Sequence, residues 1–298
     1  MKIKTLGAKN WYSCQLDRID ASFRELGYDL VSDDFNDKVE LIYANDPGGF
    51  AKAIEHKQQF GGKLILNILD RPWHCAEIKE WDVKVKEQLK QADAITTISK
   101  YTQSQVKQHL GFDSKVIYQP IKPVGFINNT TKNGLAMLVG RQLDGNKRAM
   151  LAVRATQDFC ERNRLSFEDG YLSVFGSEDI SYGNYYGVVS DEQLKLEYNQ
   201  HLVTLICSKN EGINLPLVES LVCYTPVIVC NDMTTASEFA PQEMMVEPKV
   251  EKIADKIAEI QENYWRYFTI AATFGDEHKK KFDKLTIAGN ILEVYNKL

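Results

Sequence analysis

The stretch Glu211-Gly212-Ile213-Asn214-Leu215-Pro216-Leu217-Val218-Glu219 says more about the fold of this chain than any other. It lies between two short apolar runs, Val203–Cys207 before it and Pro226–Cys230 after it, and each run predicts a buried strand. The stretch itself predicts a loop and the start of a helix. Strand, helix and strand in this order are typical of an α/β protein with a parallel sheet.

Two carboxylates stand eight positions apart in this stretch, one on the loop and one two turns into the helix. Carboxylates accept paired hydrogen bonds from vicinal hydroxyls, so Glu211 and Glu219 suit a ligand with sugar hydroxyls at both ends. The helix N-terminus between them has free N–H groups and a positive dipole end, which favour a phosphate. A nucleotide-sugar carries its groups in that order: ribose, diphosphate and sugar.

The stretch resembles the Glu-x7-Glu signature of retaining GT-B glycosyltransferases, in particular the large family 4 group. The resemblance implies that Glu211 contacts the hydroxyls of the donor sugar and that Glu219 contacts the ribose hydroxyls. It also implies that the backbone between the two acids contacts the donor, with N–H groups directed at the phosphates. The residues concerned are Gly212, Ile213, Asn214 and Leu215.

This chain departs from the usual run of the family, which is Glu-Gly-Phe-Gly-Leu-Pro. Ile213 and Asn214 stand at the Phe-Gly positions. Because Asn tolerates a left-handed backbone better than most residues, we expect the turn to survive. Complementarity to the helix dipole is the other explanation for two glutamates at a helix start.

A second basic and glycine-containing element follows the predicted strand that ends at Val139. The run Gly140-Arg141-Gln142-Leu143-Asp144-Gly145-Asn146-Lys147-Arg148 resembles the Gly-Arg…Lys element of the same family, which implies that Arg141 and Lys147 hold the donor diphosphate. Fixed cations there stabilise the charge that develops on a nucleoside diphosphate leaving group. The run is not a P-loop, because Asn146 replaces the required Lys and Arg148 replaces Ser or Thr. A solvated basic helix start is the alternative.

The run Tyr186-Gly187-Val188-Val189-Ser190-Asp191-Glu192-Gln193-Leu194, with Tyr198 after it, resembles the family's Gly-x-Val-Ser-x-x-x-Leu…Tyr stretch. The resemblance places Gly187 and Val188 near the donor. Ser190 is predicted to cap the following helix with Gln193 as its capping-box partner. A well-capped surface helix explains these residues equally well.

The N-terminal half carries fewer candidates. Gly7 follows the first predicted strand, where its loop is expected to approach the diphosphate through backbone N–H groups. Asp70 and His74 follow the predicted strand Leu64–Leu69, and either side chain is a candidate to polarise a hydroxyl of the reacting sugar. A helix-capping role is the alternative for Asp70. Ala92–Lys100 resembles the family's Ala-Asp-x-Ile-x-x-x-Ser element and predicts Ser99 as an N-cap.

Strand and helix patterns alternate along the whole chain, which predicts an α/β fold of two Rossmann-like domains in the GT-B arrangement, with the active site in the interdomain cleft. The pattern lapses around Gln119–Asn133, the predicted linker. The predicted domains are an acceptor-side domain over 1–122, a nucleotide-sugar domain over 123–275 and a C-terminal helix over 276–298 that packs back on the first domain.

Composition excludes several other classes. The 298 residues are 44% hydrophobic and 26% charged, as in an ordinary globular protein, and the net charge of −5 argues against a general nucleic-acid binder. The six scattered cysteines, and an N-terminus without a signal-peptide core, favour a reducing, cytoplasmic setting. The basic run His278–Lys281 predicts a solvated helix face or a peripheral membrane contact. No Asp-x-Asp, no Gly-x-Gly-x-x-Gly and no zinc spacing occurs, so we predict no metal and no cofactor.

The sequence therefore predicts a retaining, metal-independent glycosyltransferase, a hexosyltransferase of the EC 2.4 type. It moves a sugar from a nucleotide-diphosphate sugar to a glycan, lipid or small-molecule hydroxyl. Two alternatives stay open on the same scaffold. One is a cofactor-free nucleotide-sugar epimerase or hydrolase. The other is a degenerate GT-B subunit that binds a partner glycosyltransferase, and the 298-residue length and the Ile213-Asn214 departure keep this alternative open.

Overall fold

A computed structural model of the chain describes residues 1–7, 13–32, 34–70, 78–122, 124–128 and 131–298. The chain forms two compact units. The first unit comprises Met1–Pro120 and Lys281–Leu298, and the second comprises Ile121–Lys280. The sequence predicts the first boundary at 122/123, slightly later than the observed one, and the second at 275/276, slightly earlier than the observed one.

The first unit contains a sheet of six parallel strands in the order β2-β1-β3-β4-β5-β6. The strand order reverses between β1 and β3, where a parallel sheet opens a crevice at its carboxyl ends. The strands are β1 (Lys2–Gly7), β2 (Asp29–Val31), β3 (Leu41–Asn45), β4 (Lys63–Ile68), β5 (Ala94–Thr97) and β6 (Lys115–Val116).

Helices cover both faces of this first sheet, so successive residues of a central strand enter different cores. Leu41 and Tyr43 of β3 face one core, and Ile42 and Ala44 face the other. The helices of the first unit are α1 (Ser13–Glu25), α2 (Pro47–Phe60), α3 (Ile78–Leu89), α4 (Lys100–Gln105), the π-helical turn Val106–Leu110, and α11 (Lys284–Tyr295). Ile287, Ala288 and Ile291 of α11 pack in the core that contains Leu41 and Tyr43.

The second unit repeats this architecture with a parallel sheet in the order β12-β11-β10-β7-β8-β9. Here the strand order reverses between β7 and β10. The strands are β7 (Gly134–Val139), β8 (Leu172–Phe175), β9 (Asn184–Gly187), β10 (His201–Ile206), β11 (Val227–Cys230) and β12 (Met245–Val246). The predicted α/β class with two parallel sheets is confirmed.

The helices of the second unit pack on both faces of its sheet, and α5 lies against α9. They are α5 (Ala149–Arg162), α6 (Asp191–Gln200), α7 (Leu215–Val222), α8 (Ala236–Phe239), α9 (Val250–Glu262) and α10 (Tyr264–Lys281), with 3-10 turns at Gly145–Lys147, Phe167–Asp169 and Gln242–Met244. Ser190 caps α6 as predicted, accepting from the Gln193 N–H at 3.1 Å. The capping box is incomplete, because the Gln193 amide donates to Glu197 instead.

The prediction of one helix over 276–298 is wrong. α10 already begins at Tyr264, and the chain then breaks at Phe282 and Asp283. Asp283 starts a new helix because its carboxylate accepts the Thr286 N–H at 2.8 Å, and the side chain of Phe282 is buried at the break. A similar break at Asn263 separates α9 from α10.

Gly275 of α10 offers a test of how tightly α10 packs against α7. A Cβ atom at Gly275 would lie 2.1 Å from the Leu221 carbonyl oxygen, whereas a Cβ at Gly289 of α11 would meet nothing within 4 Å. Both glycines are helical, so Ala improves helix propensity at each. We predict that Gly275→Ala destabilises the protein by about 1–3 kcal/mol through overpacking. Gly289→Ala should leave the melting temperature unchanged or raised. Equal melting temperatures for the two variants in calorimetry would contradict this packing.

Candidate functional site

Three loops meet at the carboxyl ends of adjacent strands in the second unit. Residues 140–148 follow β7, residues 207–214 follow β10, and residues 231–235 follow β11. β7 and β10 flank the point where the strand order reverses, which is where open parallel sheets hold ligands. The candidate residues Arg141, Lys147 and Glu211 all lie on the first two of these loops.

An ion pair joins the first two loops. Lys147 Nζ lies 2.6 Å from Glu211 Oε1, and the two side chains are 19% and 12% exposed. The Asn214 side-chain amide also donates to Glu211 Oε1, at 3.1 Å. One carboxylate oxygen therefore accepts from a cation and an amide at the same time, which fixes the position of the Glu211 carboxylate.

Asn214 has a second role as the N-cap of α7. Its Oδ1 accepts the Leu217 N–H at 3.1 Å, and its backbone is extended, with φ −97° and ψ 96°. The expectation that Asn214 adopts a left-handed turn is wrong, because a side-chain cap replaces the turn that the family's Gly would form. The Ile213-Asn214 departure thus leaves a helix N-terminus directly beside Glu211.

Paired hydrogen bonds hold the loops in register. The Asn146 side chain donates to the Asn210 carbonyl at 2.6 Å and accepts the Asn210 N–H at 2.8 Å. The Thr234 hydroxyl accepts the Glu211 N–H and donates to the Glu211 carbonyl, both at 2.9 Å. The loop after β7 therefore holds the backbone of Asn210, and the loop after β11 holds the backbone of Glu211 next to it.

Arg148 is a residue of this site that sequence reasoning missed. Its backbone is left-handed, with φ 50°, and its guanidinium donates to the carbonyls of Cys207 and Ser208 at 2.5 and 3.1 Å. Two further bonds, at 2.8 and 2.6 Å, reach the carboxylate of Asp232. The hydrogen bonds from Arg148 hold the pKa of Asp232 below its ordinary value of 3.8. Asp232 lies 84 positions away, and no local pattern predicts that pairing.

Arg141 occupies the same loop as Lys147 but is more open to solvent. Its guanidinium lies 3.5 Å from the Asp144 carboxylate, and its side chain is 50% exposed. Asp144 in turn caps the turn Gly145–Lys147 by accepting the Asn146 N–H at 3.0 Å. A small cavity adjoins this loop, and its polar lining comes from Gln142, Lys147, Ser208 and Asn214.

Glu219 lies in a different environment from Glu211. It sits in the second turn of α7 and is only 3% exposed. Its Oε2 accepts the Tyr198 hydroxyl at 3.1 Å, and its Oε1 accepts the Lys122 N–H at 3.4 Å. The predicted contact between Glu219 and a ribose stays a prediction.

The other predicted residues lie on separate elements. Gly187 ends β9 with φ 71°, and Val188 after it is 78% exposed. Gly7 ends β1 of the first unit, paired in register with Asn45. Asp70 follows β4 and is partly buried.

The remaining candidate, His74, lies outside the described residues. Within the backbone and side chains that the structure describes, no three His, Cys, Asp or Glu side chains are grouped as metal ligands would be. Of the helices in these ranges, none combines the length and the apolar character needed to span a bilayer.

Comparison with known proteins gives a match to one family and a likeness to several solved structures. The family Glycosyl transferases group 1 matches over residues 183–281, about a third of the chain, which includes α6, α7 and Glu211. Among curated proteins, none matches the sequence.

Solved structures resemble the chain over its full length at low identity. The structure of Anabaena HepE in complex with UDP has a TM-score of 0.74 at 15% identity, and each chain is covered to 100%. A glycosyltransferase of Rickettsia africae has a TM-score of 0.73 at 12% identity, with 99% of this chain and 97% of that chain covered. Sucrose-phosphate synthase of Thermosynechococcus elongatus has a TM-score of 0.69 at 15% identity, covering 97% and 79%.

The fold is therefore GT-B, with two Rossmann-like domains, as predicted. The family match places a glycosyltransferase domain in the second unit, so the chain is a transferase of the EC 2.4 class. The three loops described above lie partly before and partly within the matched residues.

The Arg148–Asp232 pair predicts a pH-dependent contribution to stability. Because the folded-state pKa of Asp232 is depressed, the contribution is present above the unfolded pKa of about 3.8 and is lost as the pH falls through the lower folded value. Asp232→Asn should therefore lower the melting temperature at pH 7, and its difference from wild type should shrink below about pH 4.

A matched control is Asp255→Asn, because Asp255 pairs with Arg162 at the surface, where an ion pair contributes little. Thermal unfolding of the three proteins is compared from pH 7 down to the lowest pH at which all unfold cooperatively. A constant difference between wild type and Asp232→Asn over that range would contradict the role given to the pair.

Proposed function

We propose that this chain is a retaining glycosyltransferase of the family 4 type that uses a nucleotide-diphosphate sugar and no metal ion. One observation carries the proposal. Lys147, Glu211 and Asn214 form a joined cluster at the switch point of the second sheet, directly at the N-terminus of α7. A cation, a carboxylate and a helix N-terminus in one place suit the charges and hydroxyls of a sugar diphosphate.

The leaving group sets the first requirement of the reaction. The bond between the anomeric carbon and the diphosphate oxygen breaks, and negative charge grows on the diphosphate. Lys147 supplies a fixed positive charge at the loop after β7, Arg141 adds a second on the same loop, and the N–H groups that open α7 add partial positive charge. These groups are in place before reaction, so little reorganisation is needed.

Glu211 orients the sugar in this proposal. Its carboxylate is held by Lys147 and Asn214 through one oxygen, Oε1. Oε2 of that carboxylate is the group we assign to the sugar hydroxyls. The acceptor hydroxyl attacks from the face that the diphosphate leaves, and the departing diphosphate oxygen takes its proton. The new glycosidic bond then keeps the configuration of the donor.

The remaining assignments are part of the same proposal. We assign Glu219 to the ribose hydroxyls, the segment at the end of β9 with Gly187 and Val188 to the nucleotide base, and Gly7, at the end of β1, to the diphosphate. HepE has been crystallised with UDP-glucose, so UDP-glucose is the first donor to test, followed by GDP-, ADP- and TDP-sugars. Cys160, Cys207, Cys223 and Cys230 are buried and form no disulfide, which supports a reducing, cytoplasmic setting.

Lys147→Met removes the charge that the proposal places on the leaving group. We predict that kcat falls by about 100- to 1,000-fold, the range found when one preorganised stabilising group is lost. Lys209→Met is the matched control. Lys209 is an exposed lysine on the neighbouring loop, and its backbone N–H and carbonyl make the hydrogen bonds to the other two loops. Nucleoside diphosphate release is measured with a panel of glycan, lipid and small-molecule acceptors.

The same assay separates the alternatives. Release that is as fast without acceptor as with it would indicate a hydrolase or epimerase, and no binding of any sugar nucleotide in calorimetry would indicate a degenerate subunit. Full activity of Lys147→Met would contradict the proposed leaving-group role. Proton NMR of the product reports the anomeric configuration. Retention with activity that survives EDTA is expected, whereas inversion would exclude the proposed stereochemistry.

A further inference from the structure

Tyr198 is a fully buried tyrosine in the last turns of α6. Its exposed fraction is 0%, and its ring belongs to a core cluster in the second unit. The Thr225 hydroxyl donates to the Tyr198 carbonyl at 2.5 Å, which fixes the backbone at the same place. The other buried members of the cluster are Met137, Phe175, Leu194 and Cys223. Ring and backbone are therefore held from several elements.

The hydroxyl of this fixed ring reaches Glu219. It donates to Glu219 Oε2 at 3.1 Å, and the pair is buried. Burial above all, and then the negative charge of Glu219, raise the pKa of Tyr198 well above its ordinary value. The hydroxyl therefore keeps its proton and acts as a donor at any physiological pH.

A buried carboxylate needs such a donor for two reasons. A charge removed from water is destabilised unless hydrogen bonds replace its solvation, and Glu219 is 3% exposed. A glutamate side chain also rotates freely about its terminal bond, so a donor on Oε2 selects one orientation of the carboxylate plane. The Lys122 N–H also reaches this carboxylate, at Oε1, over a longer distance of 3.4 Å.

We propose that Tyr198 is a positioning residue for the donor nucleotide, acting through Glu219. By donating to Oε2 it holds the carboxylate in the orientation that receives the vicinal hydroxyls of a ribose. The site thereby distinguishes ribonucleotides from deoxyribonucleotides. This inference rests on the proposed function, in which Glu219 contacts the ribose. It adds Tyr198 as the group that makes this contact selective for ribose over deoxyribose.

The test compares binding of matched ribose and deoxyribose probes. UDP, GDP and ADP are titrated into the full chain by calorimetry, and the tightest of the three is repeated with its 2′-deoxy and 3′-deoxy forms. The proteins are wild type, Glu219→Gln, Tyr198→Phe and the double variant. Phe keeps the buried ring of Tyr198 and removes only the hydroxyl.

We expect wild type to prefer the ribose form by about tenfold or more, as for a hydrogen bond to a charged group. Tyr198→Phe should reduce that preference about three- to tenfold and leave the affinity for the deoxy forms unchanged. In the double variant the loss should not exceed that of Glu219→Gln alone, because both substitutions remove one linked interaction.

A matched control shows that the effect is specific. Tyr267 is also buried, at 1% exposure, and its hydroxyl donates to the carboxylate of Glu259. Tyr267→Phe removes the same kind of bond elsewhere in the second unit. It should lower the melting temperature to a similar extent and leave the ribose preference intact.

Two results overturn the inference, and they differ in what else they overturn. If Glu219→Gln abolishes the ribose preference and Tyr198→Phe keeps it, the ribose contact stands and the positioning role of Tyr198 is wrong. If wild type shows no ribose preference, the ribose contact of the proposed function is wrong, and the inference falls with it.

Discussion

The ion pair between Lys147 and Glu211 is the interaction on which the arrangement of the candidate site depends. Two opposite charges 2.6 Å apart and mostly shielded from water are stable only if their backbones are held in place. The Asn146–Asn210 bonds and the Thr234 hydroxyl provide that support, and Arg148 anchors the same loop through Cys207, Ser208 and Asp232. The residues that hold the charged pair in place thus lie on three loops, each of which follows a strand of the sheet. A site built in this way has its electrostatics fixed before any substrate arrives.

The two acids of the Glu-x7-Glu stretch lie in contrasting surroundings, although a pattern describes them alike. Glu211 lies on a loop, where Lys147 and Asn214 both contact one oxygen of its carboxylate, Oε1. Glu219 lies in a helix and is buried, and the Tyr198 hydroxyl donates to its Oε2. In the proposed function the first acid meets the donor sugar and the second meets the ribose.

Sequence alone predicted the alternation of strands and helices, the GT-B fold, and the two loops that carry Lys147 and Glu211, because these depend on local periodicity and on one resemblance. It missed the short strands β2, β9 and β12, whose two to four residues carry too little pattern. Long-range pairings such as Arg148–Asp232 and Tyr198–Glu219 leave no local signal. Two helix N-caps do have a local sequence signal. They are Asp283, three residues before Thr286, and Asn214, directly before Leu-Pro-Leu. The family has a glycine at the position of Asn214, which suggested a left-handed turn there. Asn itself is a favoured helix N-cap, and that is the role it has.

The most direct test of this account is a crystal structure of the chain with a bound nucleoside diphosphate sugar. The account predicts the diphosphate at the N-terminus of α7, with an oxygen about 3 Å from Lys147 Nζ and the sugar hydroxyls on Glu211. A donor bound elsewhere, with Lys147 and Glu211 still paired with each other and neither in contact with it, would contradict it.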